Sequence, residues 1–342
     1  MSWSFISHVT EHISKPRLGQ QKQPTQWPSE ATAVIKNEYD EEIVVGKCRR
    51  QAFFRLMLDK YAYDPEKYGF YQPMVESIQL LSIPTDPYLR WIWKAGQLYE
   101  DLQIDLAKDS GIFVAEQVVI YVPKYNVSGK IDLVAVNPET SKLKALEFKS
   151  VYGFNSNMVL GTPAQRKRGQ LGTPKESHLM QIGIYDFWYA SNDDRFESSS
   201  LIYGARDTGR FAEYSIFTEK NEETGLHHIS YEGLSPNQTS RTVTQITIEN
   251  VFENYKYVAS CVDGGTIPDR DFDAQYSDEK IDILYERGEL NKTDTKQYEK
   301  RKQQVEEGKT RLVKKVQKGD WQCRFCNYKD ICYDSNSNPK DT

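Results

Sequence analysis

Apolar positions recur along this chain with periods that change from segment to segment, and the changes outline its elements. Between Ile43 and Tyr63, the residues Ala52, Phe53, Leu56, Met57 and Tyr61 fall at three- and four-residue steps, which predicts a helix with Cys48 at or near its start. A second helix is expected from Pro87 to Ala107, where Leu89, Ile92, Trp93, Gly96, Tyr99, Leu102 and Leu106 precede an Asp109-Ser110-Gly111 stop. It sets Gly96 and Glu100 on one face. Strand-like segments follow at Phe113 to Pro123, Gly129 to Val136 and Leu143 to Val151, and the turn formers Asn137 to Ser141 join the last two as a hairpin. Residues 153–177, rich in Gly, Asn, Thr, Pro and basic residues, read as a long unstructured loop. A helix from Ser177 to Ala190 and a strand around Ser200 to Gly204 complete an α-β-β-β-α-β order. Further strands are expected within 211–250, an acidic stretch covers 263–282, and 296–318 reads as a basic helix.

These shifts divide the chain into an extension (1–40), a helical segment (41–75), an α/β core (76–260), a helical region (261–318) and a cysteine-bearing tail (319–342). The extension mixes Lys, Gln, Pro and Ser without periodic apolar positions, and no chemistry is assigned to it. No internal repeat is found.

With 342 residues, 38% hydrophobic and 27% charged, the composition is that of a globular protein and excludes disordered and collagen-like classes. Apolar runs such as Val118 to Val122 are far shorter than the roughly 20 residues that span a bilayer. The amino terminus lacks a basic start followed by a continuous apolar stretch. A cytoplasmic chain with no membrane partner is therefore expected. The 44 basic residues against 49 acidic leave a net charge of −5, so a nucleic-acid site has to be a local patch. Arg166-Lys167-Arg168, with Lys175, is the candidate, and a solvated loop is the competing reading. In 296–318, nine Lys or Arg are interleaved with Glu299, Glu306 and Glu307, which fits an exposed amphipathic helix better than a binding face. Tyr152, Phe154 and Tyr189 could stack on unpaired bases, although core packing explains any one of them.

The chemistry lies in Leu146-Glu147-Phe148-Lys149-Ser150. Strand alternation sends Glu147 and Lys149 to one face and Phe148 to the other, and the hairpin can bring Asp132 of Gly129-Lys130-Ile131-Asp132 beside Glu147. Two carboxylates and an ammonium suit a hard divalent cation such as Mg²⁺, which takes oxygen ligands and substrate phosphates. Such an ion polarises a phosphoryl oxygen and acidifies its water, while a neighbouring Lys orients that water or offsets developing charge. On the following helix, Gln181 and Tyr185 stand one turn apart. Near the carboxyl end, Cys323-x-x-Cys326-x₅-Cys332 offers three soft ligands that suit Zn²⁺ or an iron–sulfur cluster. A fourth ligand is needed, no His lies in that tail, and Cys48 and Cys261 are the remaining thiols. Alone, Cys261 reads as a buried structural thiol.

Taken in order, these motifs resemble the RecB-like branch of the PD-(D/E)xK nucleases, closest to the CRISPR-associated iron–sulfur exonucleases and their viral and helicase-linked relatives. The resemblance covers about residues 42–335 and runs from Cys48-Arg49-Arg50 through Gly96-x-x-x-Glu100, Gly129-x-x-Asp132, Glu147-x-Lys149 and Gln181-x-x-x-Tyr185 to the three cysteines. Glu100 departs from the His of many members, which bears on metal preference. The resemblance implies a restriction-endonuclease-like core, a mixed sheet flanked by helices. It implies Mg²⁺ or Mn²⁺ held by Glu100, Asp132, Glu147 and the Phe148 carbonyl, with Lys149 catalytic and Gln181 and Tyr185 positioning DNA or the active-site strand. It implies a [4Fe-4S] cluster on Cys48, Cys323, Cys326 and Cys332 that joins the two ends. The expected activity is DNA hydrolysis from an end, on single strands or single-stranded ends, leaving 5′-phosphates. The location would be host cytoplasm for a viral protein, and a helicase or recombination partner is the further expectation from the resemblance; the chain itself shows no helicase signature of the form Gly-x-x-x-x-Gly-Lys-Ser/Thr. The alternative is a non-catalytic DNA-binding or assembly subunit that keeps this fold. Against it, Asp132, Glu147 and Lys149 are all present.

Overall fold

The computed structural model describes residues 23–81, 87–235, 237, 240–324 and 326–334. They fall into two compact units that part after Pro268. The first begins with an antiparallel pair, β1 (Thr32–Lys36) and β2 (Glu42–Gly46), in which Ile35 faces Ile43. Helices α1 (Arg49–Tyr63), α2 (Gln72–Leu81) and α3 (Pro87–Asp109) follow. Next come β3 (Phe113–Val122), β4 (Val127–Val136) and β5 (Leu143–Val151). The short helices α4 (Phe154–Leu160) and α5 (Pro163–Lys167) lead into the long α6 (Glu176–Asn192). The unit closes with β6 (Phe196–Ala205), β7 (Arg210–Lys220), β8 (His227–Gly233), β9 (Thr242–Thr247) and α7 (Ile248–Gly264).

Among the described residues, β3 to β9 form one seven-stranded mixed sheet in sequence order. Every neighbouring pair is antiparallel except β5 and β6, which run parallel. A parallel step needs a crossover, and α4, α5 and α6 supply it. One face of the sheet is covered by α3, whose Ile104 and Ala107 pack with Leu133, Ala135, Leu146 and Phe148. The other buries Leu179, Met180, Ile182 and Tyr185 of α6, with Val251 and Phe252 of α7, against Ala145, Leu201, Tyr203 and Tyr214. The α/β class with a mixed sheet between helices is thus the observed architecture. No helix among the described residues is long and apolar enough to cross a membrane.

Three local expectations are corrected. Residues 42–46 are strand, not helix, because Ile43, Val44 and Val45 are β-branched and pair with β1. The break is Gly46, at φ +95°, where an added Cβ would lie 2.4 Å from both the Ala31 carbonyl oxygen and the Met180 Cε. Helix α1 therefore starts only after Cys48, its N-cap residue. Second, the extension is structural from residue 23 onward, since Ala31 and Ala33 are fully buried; residues 1–22 lie outside the described residues. Third, 153–177 is not unstructured. It folds into α4 and α5, the latter started by a Thr162–Gln165 capping box.

The second unit holds α8 (Asp278–Glu286), α9 (Lys292–Glu306), α10 (Trp321–Arg324) and α11 (Lys329–Asp334). The basic run is helical only as far as Glu306. Beyond it the chain turns back along α9, where the Val313 amide donates to Gln304 Oε1 at 2.7 Å and Gln297 Nε2 donates to the Lys314 carbonyl at 3.0 Å. Residues 261–268, including Cys261 in the buried face of α7, belong with the first unit. The described part of the cysteine-bearing tail, 319–334, belongs with 269–318.

Candidate active site

The site is made by a fork in the sheet. Strands β4 and β5 pair from Val136–Leu143 as far as Leu133–Leu146 and no further, while β3 stays with β4 to Val127 and β6 stays with β5 to Val151. Asp132 and Glu147 are the first residues past the last pair. There the ladder bond is replaced by a side chain: the Phe148 amide donates to Asp132 Oδ2 at 2.8 Å. Glu147 is 2% exposed, and Lys149 Nζ donates to its Oε1 at 2.5 Å. Phe148 points the other way, into the α3 face.

Helix α6 fixes these groups from above. Gln181 Nε2 donates to Glu147 Oε1 at 2.8 Å and lies 3.3 Å from the Tyr185 hydroxyl oxygen. That hydroxyl also meets the backbone of Lys130. Gly129 explains the Gly-x-x-Asp spacing, because a Cβ there would lie 2.9 Å from the Tyr185 oxygen and 2.6 Å from Pro28 Cγ. Tyr185 and Gln181 thus tie β4 to β5 across the fork. Asp186, the next residue on α6, accepts from the Thr218 amide at 2.8 Å and its hydroxyl at 2.7 Å, which pins the helix to β7. Burial pushes the Asp186 carboxyl up to about 6.

Glu100 approaches on α3, next to β5, where Gly96 would place a Cβ 3.4 Å from Ser150 Oγ. Gln117 Nε2 donates to Glu100 Oε1 at 2.6 Å. Gln117 adopts φ +51°, unusual for a side chain with a Cβ, and lies where the β3–β4 ladder passes from Glu116–Leu133 to Val118–Ile131. It holds a candidate ligand from a backbone conformation that periodicity does not signal.

The electrostatics is that of crowded carboxylates. Burial, and then the Glu147 charge, raise Asp132 well above the ordinary carboxylate range, and burial raises Glu147. Glu100 is raised by burial and by Glu147. Burial works to lower Lys149, but the Glu147 and Asp132 charges outweigh it and hold the ammonium charged. Glu147 Oε2 is buried without any hydrogen-bond partner. Burial and crowding of like charges raise such acids, and the orphaned Glu147 oxygen leaves one hard donor unspent. As the side chains stand, no group of three or more His, Cys, Asp or Glu among the described residues is gathered at metal-holding distances.

The proposed DNA-binding residues are placed differently. Arg166 donates to Asn157 Oδ1 at 3.0 Å and to the Gly161 carbonyl, so it locks α5 to α4. Lys167 and Arg168 are exposed. The Arg168 carbonyl accepts from Asn237 Nδ2 at 2.8 Å, which ties this end of the segment to the chain that follows β8. Tyr152 and Phe154 are 65% and 82% exposed, whereas Tyr189 is core. Close to Lys149 instead are Lys47, Lys175 and His178, which sequence reasoning did not bring together.

In the second unit, Asp320 anchors the start of the cysteine segment by accepting from the Asp273 amide at 2.7 Å and from the Tyr276 hydroxyl at 2.6 Å. Tight turns follow, with the Cys326 amide 3.4 Å from the Cys323 carbonyl and the Cys332 amide 2.8 Å from that of Tyr328. Burial raises the Cys323 and Cys326 thiols, and the charges of Cys326 and Cys332 add to the rise at Cys323. None of the five cysteines is in a disulfide. Comparison of the chain with protein-family models and with curated proteins finds no match.

Proposed function

We propose that this chain is a metal-dependent deoxyribonuclease with a PD-(D/E)xK core, acting on single-stranded DNA or single-stranded ends. The observation that carries the reading is the fork itself: Asp132 and Glu147 at the first positions past the last β4–β5 pair, one carboxylate oxygen orphaned, and a charged Lys149 paired with Glu147. Asp132, Glu147, Glu100 and the Phe148 carbonyl would hold Mg²⁺ or Mn²⁺, which supplies Lewis-acid activation of a phosphodiester and of water. Lys149 is the group on this chain that offsets negative charge developing on the phosphoryl oxygens. Gln181 keeps the Glu147 carboxylate in one orientation, and Tyr185 keeps β4 at the distance that lets Asp132 face it. Asp132, Glu147, Gln181 and Tyr185 are all buried, so the carboxylates are largely desolvated.

A [4Fe-4S] cluster on Cys48, Cys323, Cys326 and Cys332 belongs to the same proposal. The donor chemistry fits, since three mutually interacting thiols stand in one short segment of a unit that contains no His. The testing experiment is incubation of anaerobically purified protein with end-labelled single- and double-stranded DNA, with Mn²⁺ or with EDTA. Shortened products with Mn²⁺ alone, faster on single strands, are expected, and intact DNA in every lane refutes the proposal.

A further inference from the structure

Beside the carboxylate fork lies a second cluster of opposite sign. Lys149 stands opposite Tyr203 in the parallel β5–β6 register. The Tyr203 hydroxyl lies 3.1 Å from the Lys175 amide and 2.9 Å from His178 Nδ1. The phenol's own proton is then free to go to Nδ1, the arrangement in which His178 carries its proton on Nε2 and can donate outward. Lys47 is the residue that follows β2. Its backbone is fixed at both ends, the amide donating to the Ala31 carbonyl at 3.1 Å and the carbonyl accepting from Thr32 Oγ1 at 2.8 Å. The preceding Gly46 packs directly on Met180 of α6. Lys47 and Lys175 are half-buried, and neither ammonium has an ion-pair or hydrogen-bond partner among the described residues. Glu30, the carboxylate whose charge acts on Lys47, is already held by Arg55 through two bonds of 2.7 and 2.6 Å.

Folding alone gives no reason to gather these charges. Lys47, Lys149 and Lys175 all act electrostatically on His178, and burial first, then those lysines, keep the imidazole neutral. Glu147 compensates Lys149 only. Two desolvated ammonium groups near enough for their charges to act on one imidazole, neither of them ion-paired to a carboxylate among the described residues, are complementary to the oxygens of a phosphate.

We propose that Lys47, Lys175 and the Nε2–H of His178 form a phosphate-binding subsite beside Lys149, which holds a second phosphate of the DNA strand whose scissile phosphodiester lies at Asp132 and Glu147. The inference rests on the nuclease reading and deepens it by naming what grips the strand. The second phosphate is either a terminal monoester or an internal phosphodiester, and the two are separable by experiment.

The test is equilibrium binding of an internally labelled oligothymidylate by fluorescence anisotropy, with Ca²⁺ as the ion, from 50 to 200 mM salt. The oligonucleotide carries a 5′-phosphate, a 3′-phosphate or neither. Lys47→Gln and Lys175→Gln should each weaken binding about three- to tenfold and lower the log–log salt slope by roughly 0.7. Lys175→Arg should keep both values, as should Lys36→Gln, whose ammonium pairs with Asp40 on the surface. Losses confined to one phosphorylated end identify a terminal phosphate, whereas equal losses on all three identify an internal one. Unchanged affinity and slope in the Lys47→Gln/Lys175→Gln double variant overturn the subsite. Wild-type protein that binds with these slopes but cleaves nothing in Mn²⁺ overturns the nuclease reading and leaves the subsite standing; wild type that binds none of the three oligonucleotides overturns both.

Discussion

Gln181 on α6 donates a 2.8 Å hydrogen bond to Glu147 on β5, although 34 residues separate them. The contact couples the crossover helix to the strand that carries the carboxylate and the lysine. It also uses the one Glu147 oxygen shared with Lys149, leaving Oε2 open. Positioning therefore comes from the helix, and charge from the strand.

Gln181→Ala should lower cleavage by about ten- to a hundredfold, because a buried carboxylate that loses a donor costs about 1–3 kcal/mol in placement and desolvation. Single-turnover rates in saturating Mn²⁺ check this. A structural role alone would lower the melting temperature while leaving the rate at a permissive temperature unchanged.

Gly129→Ala should destabilise the protein by about 1–3 kcal/mol, since the new methyl meets Pro28 at 2.6 Å and the Tyr185 hydroxyl at 2.9 Å. Tyr185→Phe in the Gly129→Ala background removes one of the two clashes and should restore part of the loss. Urea denaturation of the three proteins measures it.

Asp186 predicts a pH dependence. Its folded value, pushed by burial to about 6, lies above the ordinary 3.8, so protonation adds stability that is complete below about 3.8 and is lost as pH rises through about 6. Asp186→Asn removes that loss, and its amide oxygen can still accept from Thr218. Relative to wild type, the variant should be more stable at pH 7.5 than at pH 4.5, the difference shifting by about 1–3 kcal/mol. Denaturation at the two pH values gives the sign directly.

Iron and acid-labile sulfide in anaerobic preparations of the five single Cys→Ala variants test the cluster. Cys48, Cys323, Cys326 and Cys332 variants should lose iron and the violet absorption, while Cys261→Ala, a change in the buried face of α7, should keep both. Full iron in Cys48→Ala refutes that ligand set.

The strands of the candidate site are legible because their evidence is local. Alternation places Glu147 and Lys149 together, and the turn at 137–141 sets the hairpin register that brings Asp132 alongside. The same reading failed at 42–46, where apolar residues were absorbed into the helix that follows, although the β-branched run and Gly46 both mark a strand end. It also failed at α4 and α5, which are too short for a helical period to register. Lys47, Lys175 and His178 could not be seen as a group at all. They come from β2's end and from α6's first turn, and only tertiary packing against Tyr203 and Met180 joins them. Gln117 was invisible for the same reason, since its partner Glu100 is on another element.

The most direct measurement of the central claim is single-turnover cleavage of end-labelled single-stranded DNA in Mn²⁺ by wild type, Glu147→Gln and Lys149→Ala, each with its melting temperature recorded. The account predicts a loss of at least about 10²–10³ in rate for both variants, with the folded state retained. Near wild-type cleavage by either variant would contradict it.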